Sequence, residues 1–127
     1  MNERLASELE LLRTAFPDVE FREEDLWACI PSYAIPPDVW GRATCEVAFR
    51  FVLPGQPPYG FWVRPGLSLV GGAAIQNYTY PVATAYGDGW GQFSWGAEEW
   101  LPGADVRRGA NMLRWAQSIA VRLAEGA

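Results

Sequence analysis

The sequence predicts an α+β fold in which an antiparallel sheet carries both terminal helices on one face. Apolar residues recur at helical spacing near the two ends of the chain and alternate at strand spacing in the middle. Short turns containing proline and glycine separate the middle segments, which favours a meander of three or four strands. A stretch rich in glycine and tryptophan, residues 84–103, precedes the last helix and predicts a long aromatic loop.

The chain has 127 residues, the length of one domain, which we assign as residues 1–127. Half of the residues are apolar and 14% are aromatic, so a substantial core can form. No apolar run approaches about twenty residues, and the first residues lack the basic and apolar pattern of a secretory signal. We therefore expect a cytoplasmic protein without a membrane-spanning segment.

The first helix is predicted over residues 2–16, with Asn2 as its N-cap and Pro17 just beyond its end. Residues spaced i, i+4, i+7 and i+11 lie on one face of a helix, and here all four are apolar. This stripe is expected to pack on the core, and it consists of Leu5, Leu9, Leu12 and Phe16.

The last helix is predicted over residues 111–125, with Asn111 as its N-cap. Trp115 lies beside the apolar face of this helix and is expected to pack beneath the aromatic loop. The apolar face consists of Met112, Ala116, Ile119, Ala120 and Leu123. The side chains expected to point outward are Arg114, Gln117, Arg122 and Glu125.

Three segments in the middle of the chain predict strands. The clearest is residues 43–53, in which Cys45 and four large apolar residues alternate with the other side chains. Residues 25–35 precede it, with an irregularity at Pro31 because proline cannot donate to a ladder. Residues 59–63 form the third strand. The connections are two proline-rich turns, residues 36–38 and 54–58.

Weaker signals flank these strands. Residues 19–24 are acidic and mixed, and they predict either a loop or a short first strand. Residues 67–70 predict a short fourth strand after a break at residues 64–66. Residues 73–83 contain strand-forming side chains together with Pro81, so we expect extended backbone there without assigning its pairing.

Charge and residue types exclude several classes of function. The net charge is −5 and all ten basic residues are arginine, which disfavours nucleic acid as a partner. The chain has no histidine, which removes Ser-His-Asp and Cys-His catalysis and most zinc sites. We therefore predict no metal site and no cofactor.

The chain has two cysteines, and neither has metal-type spacing. Cys45 shares a strand face with large apolar residues, which suppress the thiolate, so we interpret it as a buried small hydrophobe. Cys29 lies between Ala28 and Ile30 and is interpreted in the same way. A disulfide between the two stays open from the sequence, although a cytoplasmic setting disfavours it.

The residues alone leave three classes of function open. Exposed rings of Trp90, Trp95 and Trp100 would suit stacking on a carbohydrate or a peptide. The same rings are common anchors in protein–protein interfaces. A hydrolase would need a pair of carboxylates, one protonated and one ionised. The acids in or near the aromatic loop are Asp88, Glu98, Glu99 and Asp105.

Short motifs then follow one another along nearly the whole chain. Phe-Pro-Asp (16–18) ends the first helix. The proline turn Leu-Pro-Gly-Gln-Pro-Pro-Tyr (53–59) follows the second predicted strand, and Phe-Trp-Val-Arg-Pro-Gly-Leu (61–67) comes directly after it. Gln-Phe-Ser-Trp (92–95) pairs with Trp-Leu-Pro-Gly-Ala-Asp (100–105), which precedes a helix. This layout resembles the ubiquitin-conjugating-enzyme/RWD superfamily, and it looks most like the bacterial branch grouped as prokaryotic family E.

The resemblance implies a set of partners. Proteins of this bacterial branch are encoded beside ubiquitin-like proteins, activating enzymes and JAB-type peptidases, so a ubiquitin-like protein, its activating enzyme or such a peptidase is the implied partner. The predicted contact surface combines the aromatic loop with the turn that follows the third strand. Its residues are Arg64, Pro65, Leu67, Trp90, Phe93, Trp95 and Trp100.

The departures from the family concern catalysis. A conjugating enzyme needs a thiol to accept the ubiquitin-like C-terminus as a thioester. In the family this cysteine lies between a His-Pro-Asn segment and a Trp-Ser-Pro segment, whereas residues 66–101 contain no cysteine and 64–66 keep only the proline. Ser94 has no histidine or lysine to activate it, so no catalytic residue is assigned and Cys29, Cys45 and Ser94 remain minor candidates.

We therefore expect a non-catalytic, conjugating-enzyme-like binding or scaffold protein of a bacterial ubiquitin-like modification or defence pathway. One alternative is an active conjugating enzyme whose cysteine nucleophile is displaced to Cys29 or Cys45. Another is a carbohydrate-binding or hydrolytic domain that uses the tryptophan-rich loop.

Overall fold

The structure is a computed structural model that describes residues 2–52 and 56–127. It has an N-terminal helix, an antiparallel sheet and a C-terminal helix, which confirms the predicted α+β class. The elements are α1 (Glu3–Ala15), β1 (Glu20–Arg22), β2 (Trp27–Ala34), α2 (Pro37–Trp40), β3 (Thr44–Arg50), β4 (Tyr59–Arg64), β5 (Tyr78–Thr84), β6 (Gly87–Gly96) and α3 (Met112–Glu125).

The sheet has six strands in the order β1-β2-β3-β4-β6-β5, and every neighbouring pair is antiparallel. The predicted meander is therefore present as β1 to β4, and the β5–β6 hairpin extends it beyond the three or four strands expected. Residues 19–24, left open between loop and strand, contain β1. The predicted irregularity at Pro31 is a shift of register between Ile30 and Tyr33.

Both long helices pack on one face of the sheet, which we call the inner face. The row Ile30, Val47 and Val63 crosses three strands on this face and joins the same core as the helices. The neighbouring row, Cys29, Ala48 and Trp62, points to the opposite or outer face because strand side chains alternate. The helix residues buried against the inner face include Leu9, Leu12, Ala116, Ile119 and Leu123.

The helix ends follow the predicted capping. The side chain of Asn2 accepts a hydrogen bond from Leu5 N at 2.8 Å, and Asn111 accepts one from Arg114 N at 2.8 Å. These bonds satisfy backbone donors that have no partner within the helix. Neither helix, within the part of the chain that the structure describes, has the length and apolar character required to cross a membrane.

A buried carboxylate joins the two long helices. Glu8 of α1 accepts a hydrogen bond from Met112 N, at the first turn of α3, with its Oε1 at 2.9 Å. Its other oxygen accepts from Arg4 Nε at 3.4 Å, and Arg4 Nη1 donates to the carbonyl of Gly103 at 2.7 Å. A negative charge at the positive end of a helix is favourable, so Glu8 stabilises both the start of α3 and its position against α1.

Two aromatic side chains beneath α3 also donate hydrogen bonds to its backbone. The hydroxyl of Tyr33 donates to the carbonyl of Ala116, and the indole Nε1 of Trp40 donates to the carbonyl of Leu123 at 2.8 Å. Trp40 belongs to α2, a short helix that replaces the turn predicted at residues 36–38. Proline suits the first turn of a helix, where the missing N–H has no acceptor in any case.

Arg122 differs from the prediction that it points outward, because it is buried on α3. Its guanidinium carbon lies 4.9 Å from the ring centroid of Phe93, and its Nη atoms donate to the carbonyls of Gln76 at 2.9 Å and Gly126 at 3.1 Å. Ala120, predicted on the apolar face, is exposed instead. Two carbonyl acceptors, one on the segment before β5 and one at the C-terminal end of α3, thus stabilise a charge that helical periodicity assigned to solvent.

The predicted long aromatic loop is wrong over most of its length, because its central part forms β6. Glycine is tolerated in this strand since aromatic rings cover the backbone where side chains are missing. The ring of Tyr78 lies so close to Gly91 that a Cβ there would overlap it, and Tyr59 covers Gly96 in the same way. Residues 97–111, between β6 and α3, form no helix or strand apart from an isolated bridge between Pro102 and Gly109.

Two other segments differ from the predictions. Residues 67–70, expected as a short strand, lie outside every strand. Residues 73–83, expected to be extended, contribute most of β5. Of the proline turn at 54–58 and the strand end at Leu53, residues 53–55 lie outside the described part of the chain, and residues 56–58 form no helix or strand.

We expect Glu8→Ala to lower the free energy of unfolding by about 1–3 kcal/mol, because it leaves the buried Met112 N–H without its acceptor. Urea unfolding followed by circular dichroism would measure the change. Glu10→Ala on the exposed side of the same helix is the matched control, and it should change stability by less than about 0.5 kcal/mol. Equal stability of the two variants would show that the Glu8 contact does not hold α3.

Candidate functional site

The two thiols are buried in the sheet. Cys29 lies on the outer face and Cys45 on the inner face, so the sheet separates them and both are free. Burial raises the pKa of each to about 12, and for Cys29 the nearby carboxylates of Glu46 and Glu20 act in the same direction. Neither thiol has the exposed, electropositive surroundings that produce a reactive thiolate.

Ser94 lies on β6, partly exposed on the outer face. Its backbone N–H donates to the carbonyl of Asn77 at 2.8 Å, and its hydroxyl has no hydrogen bond to another described residue. A serine needs an adjacent base to act as a nucleophile, and none contacts this hydroxyl.

The turn after β4 is occupied by interactions within the chain. Arg64 forms a two-point ion pair with Glu46, with N–O distances of 2.8 and 3.0 Å. Its guanidinium carbon also lies 4.5 Å from the ring centroid of Trp90, and Nη1 donates to the carbonyl of Tyr86 at 3.0 Å. The pKa of Arg64 is raised mainly by the Glu46 hydrogen bonds. Leu67 nearby is buried, whereas Pro65, which lies between the two, is exposed.

The predicted contact tryptophans and phenylalanine do not lie on one surface. Trp90 and Phe93 are fully buried, on the outer and inner faces respectively. Trp95 and Trp100 are half-buried and lie together at the end of the sheet, next to α3. Their role in binding stays a prediction, and only the last two line an open cavity.

An aromatic cluster on the outer face was not expected from the sequence. It contains Trp27 and Trp62, whose ring centroids are 4.7 Å apart. It also contains Tyr86 and Trp90, whose ring centroids are 6.3 Å apart. The Trp90 indole N–H and the Tyr86 hydroxyl are buried without a hydrogen-bond partner among the described residues. The order β2-β3-β4-β6 within the sheet brings these rings together, which strand periodicity in one segment cannot predict.

A cavity with a volume of about 580 Å³ lies between α3 and the segment that follows β6. We call it the α3 groove. Its aromatic lining comes from Trp95, Trp100 and Trp115, and the first and last of these stack with centroids 5.4 Å apart. The expected packing of Trp115 against the aromatic segment is thus confirmed. The Trp115 indole N–H has no acceptor within residues 2–52 and 56–127.

Two apolar side chains of the groove are largely open to solvent. Leu101 is 75% exposed and Val121 is 61% exposed, and both belong to the lining. Val121 lies in a stripe of α3 at helical spacing, formed by Arg114, Ser118, Val121 and Glu125, all of which line the groove. The sequence signal was available, since a valine stands among residues of the polar face of an amphipathic helix.

Of the four acids considered for hydrolysis, the structure brings only Glu98 and Glu99 to the groove, where both are exposed. Asp105 pairs with Arg107 at 3.1 Å instead, and this hydrogen bond lowers the pKa of its carboxyl. Asp88 lies on β6 and is not part of the lining. Glu125 of α3 is the third carboxylate of the groove.

We expect both cysteines to resist thiol reagents in the native protein. With a pKa of about 12 for each, the thiolate fraction at pH 8 is on the order of 10⁻⁴. Maleimide labelling followed by mass spectrometry should be slow below pH 9, rise as the pH approaches 12, and become fast at pH 8 when denaturant exposes the thiols. Cys29→Ser and Cys45→Ser assign each signal, and rapid native labelling of either residue at pH 8 would contradict the burial.

Comparisons with known proteins give no family for this chain. No protein-family model, no curated protein and no solved structure matches it. The likeness to conjugating enzymes therefore rests on the motifs quoted from the sequence, and function has to be argued from the groove and from the state of the thiols.

Proposed function

We propose that this chain is a non-catalytic protein-binding domain that receives a segment of its partner in the α3 groove. More specifically, we propose that it is a conjugating-enzyme-like binding or scaffold protein of a bacterial ubiquitin-like modification or defence pathway. The partner is then the ubiquitin-like protein, its activating enzyme or a JAB-type peptidase.

The observation that carries the proposal is the exposed apolar pair of the groove. Leu101 and Val121 border an aromatic floor, and leaving both in water forfeits about 1.5–3 kcal/mol of burial free energy for each side chain. A partner that covers them recovers this free energy. Tryptophan beside apolar side chains in a concave surface is typical of the residues that dominate binding energy in interfaces.

The absence of a usable nucleophile supports a binding role. Burial raises the pKa of both thiols, and the hydroxyl of Ser94 has no base as a neighbour among the described residues. An active conjugating enzyme with a displaced cysteine would have to expose Cys29 or Cys45 from within the sheet. The groove itself contains no cysteine among its lining residues.

The finer proposal is supported by the order of elements and limited by one departure. The chain runs through α1, the β1–β4 meander and a C-terminal helix on the same face, which is the layout that the motifs suggested. The stretch in which the family carries its reactive cysteine forms the β5–β6 hairpin here. A hairpin paired edge-on with β4 suits a scaffold better than a mobile active-site loop.

A carbohydrate ligand is the second candidate. The half-buried rings of Trp95 and Trp100 line the same groove, and tryptophan faces stack on sugars as well as on peptides. The exposed aliphatic pair favours a protein segment over a carbohydrate, because leucine and valine offer a sugar no hydrogen bond.

Replacing an exposed apolar side chain of the groove with a charged one should weaken partner binding at least about tenfold. We expect this for Leu101→Glu and for Val121→Glu, because each buries an unpaired carboxylate in the complex. Isothermal titration calorimetry with a ubiquitin-like protein and with an activating enzyme, the partners that the proposal names, would measure it. Val70→Glu is the matched control, since Val70 is 66% exposed and lies outside the groove. Unchanged binding by both groove variants would refute the groove as the binding surface.

We expect no thioester on this chain. After incubation with the activating enzyme and the ubiquitin-like protein that the proposal names, together with ATP, gels without reductant should show an adduct on the activating enzyme and none on this chain. The adduct on the activating enzyme is the internal control for activity. A thiol-sensitive adduct that Cys29→Ser or Cys45→Ser removes would establish catalysis and exclude the non-catalytic proposal.

A further inference from the structure

The rim of the α3 groove carries an unbalanced charge. Three carboxylates, those of Glu98, Glu99 and Glu125, line it together with one guanidinium, that of Arg114, which gives a formal net charge of −2. All four side chains are exposed. Within the described part of the chain, none of the four takes part in an ion pair.

Elsewhere in the described chain an arginine compensates some of the carboxylates, which is not the case for the three of the groove. Glu46 pairs with Arg64, Asp25 with Arg22, and Glu8 with Arg4. The groove therefore combines an apolar floor with carboxylates that no described arginine compensates. Charges of this kind are complementary to a cationic partner and repel an anionic one.

We infer that the occupant of the α3 groove is a basic, extended segment of another protein, in which lysine or arginine side chains alternate with aliphatic ones. This inference rests on the proposed function and adds the chemistry of the partner segment. Its aliphatic side chains contact Leu101, Val121 and the tryptophan rings of the floor. Its cations lie beside the rim carboxylates.

The geometry of α3 sets the length of the segment. Arg114 and Glu125 are at opposite ends of the exposed stripe, and eleven residues of helix span about 16 Å. An extended chain covers this distance with about five residues. In such a chain successive side chains point to opposite sides, so alternation places the aliphatic ones toward the floor and the cations toward the rim and solvent.

The charge also argues against other occupants. A second copy of this chain carries a net charge of −5, so two copies repel each other at low salt. Nucleic acid would place phosphates beside three uncompensated carboxylates. A basic segment is the occupant whose charge the rim favours, and its association should be fast and sensitive to salt.

The inference is tested with fluorescein-labelled peptides and the full chain, by fluorescence anisotropy. The probe is Gly-Lys-Leu-Arg-Leu-Lys-Gly, its charge-reversed match is Gly-Glu-Leu-Asp-Leu-Glu-Gly, and its polar match is Gly-Lys-Ser-Arg-Ser-Lys-Gly. We expect the basic apolar peptide to bind at least about tenfold more tightly than either match. The affinity should fall as ionic strength rises, because exposed charges are screened with a Debye length of about 8 Å at physiological salt.

Two double variants with equal net charge separate a local effect from the overall field. The double variant Glu98→Gln with Glu99→Gln should bind the basic peptide at least about threefold more weakly than the unchanged chain does. Glu3→Gln with Glu10→Gln, on exposed positions of α1 outside the groove lining, should leave its affinity within about twofold. Val121→Ser should weaken binding of the basic peptide at least about threefold, because it removes an apolar contact without changing the charge of the rim.

The outcomes distinguish this inference from the proposed function. Three results would overturn the inference of a basic occupant. The first is that the acidic peptide binds as tightly as the basic one or more tightly, and the second is that the two double variants weaken binding equally. The third is that the chain forms a dimer that Val121→Glu abolishes. If Val121→Glu disrupts the complex with the partner protein while the basic peptide binds no better than its matches, the proposed function stands and this inference fails. If Leu101→Glu and Val121→Glu leave the affinity for the partner protein unchanged, the proposed function itself is refuted.

Discussion

The position of α3 depends on one carboxylate, that of Glu8. It is buried on α1, and it accepts the hydrogen bond of a backbone N–H that α3 cannot satisfy by itself. Arg4 compensates the charge and extends the contact to Gly103 in the segment before α3. Because α3 forms one wall of the groove and this segment forms the other, the same pair of side chains positions both walls.

Hydrogen bonds at the middle and the end of α3 complete this arrangement. Tyr33 and Trp40 donate to carbonyls of the helix. Arg122 donates to the carbonyl of Gln76, before β5, and to that of Gly126 at the end of α3 itself. These contacts hold the apolar side of α3 against the sheet, so the opposite stripe remains free to face the groove. A binding surface on a rigid helix positions its contacts more precisely than one on a loop alone.

The two faces of the sheet are covered by different parts of the chain. Helices cover the inner face, and the outer face is covered by its own side chains, with Arg64 lying over Trp90 and paired with Glu46. Both residues of the predicted contact surface that lie here, Arg64 and Trp90, are engaged within the chain. The exposed side chains of Leu101 and Val121 lie instead around the cavity where β6 runs into the segment before α3, which is why binding is assigned to the α3 groove.

The sequence by itself determined the elements whose signals are local. Asn2 and Asn111 cap helices, alternation in residues 43–53 marks β3, and the apolar surroundings of Cys45 imply a buried thiol, because each signal arises from neighbours along the chain. The tertiary structure alone decided β6, since the rings that cover Gly91 and Gly96 come from other strands. It also decided that Arg122 is buried, because the carbonyl of Gln76 and the ring of Phe93 that contact it lie on distant segments. It decided as well that Trp95, Trp100 and Val121 meet around one groove.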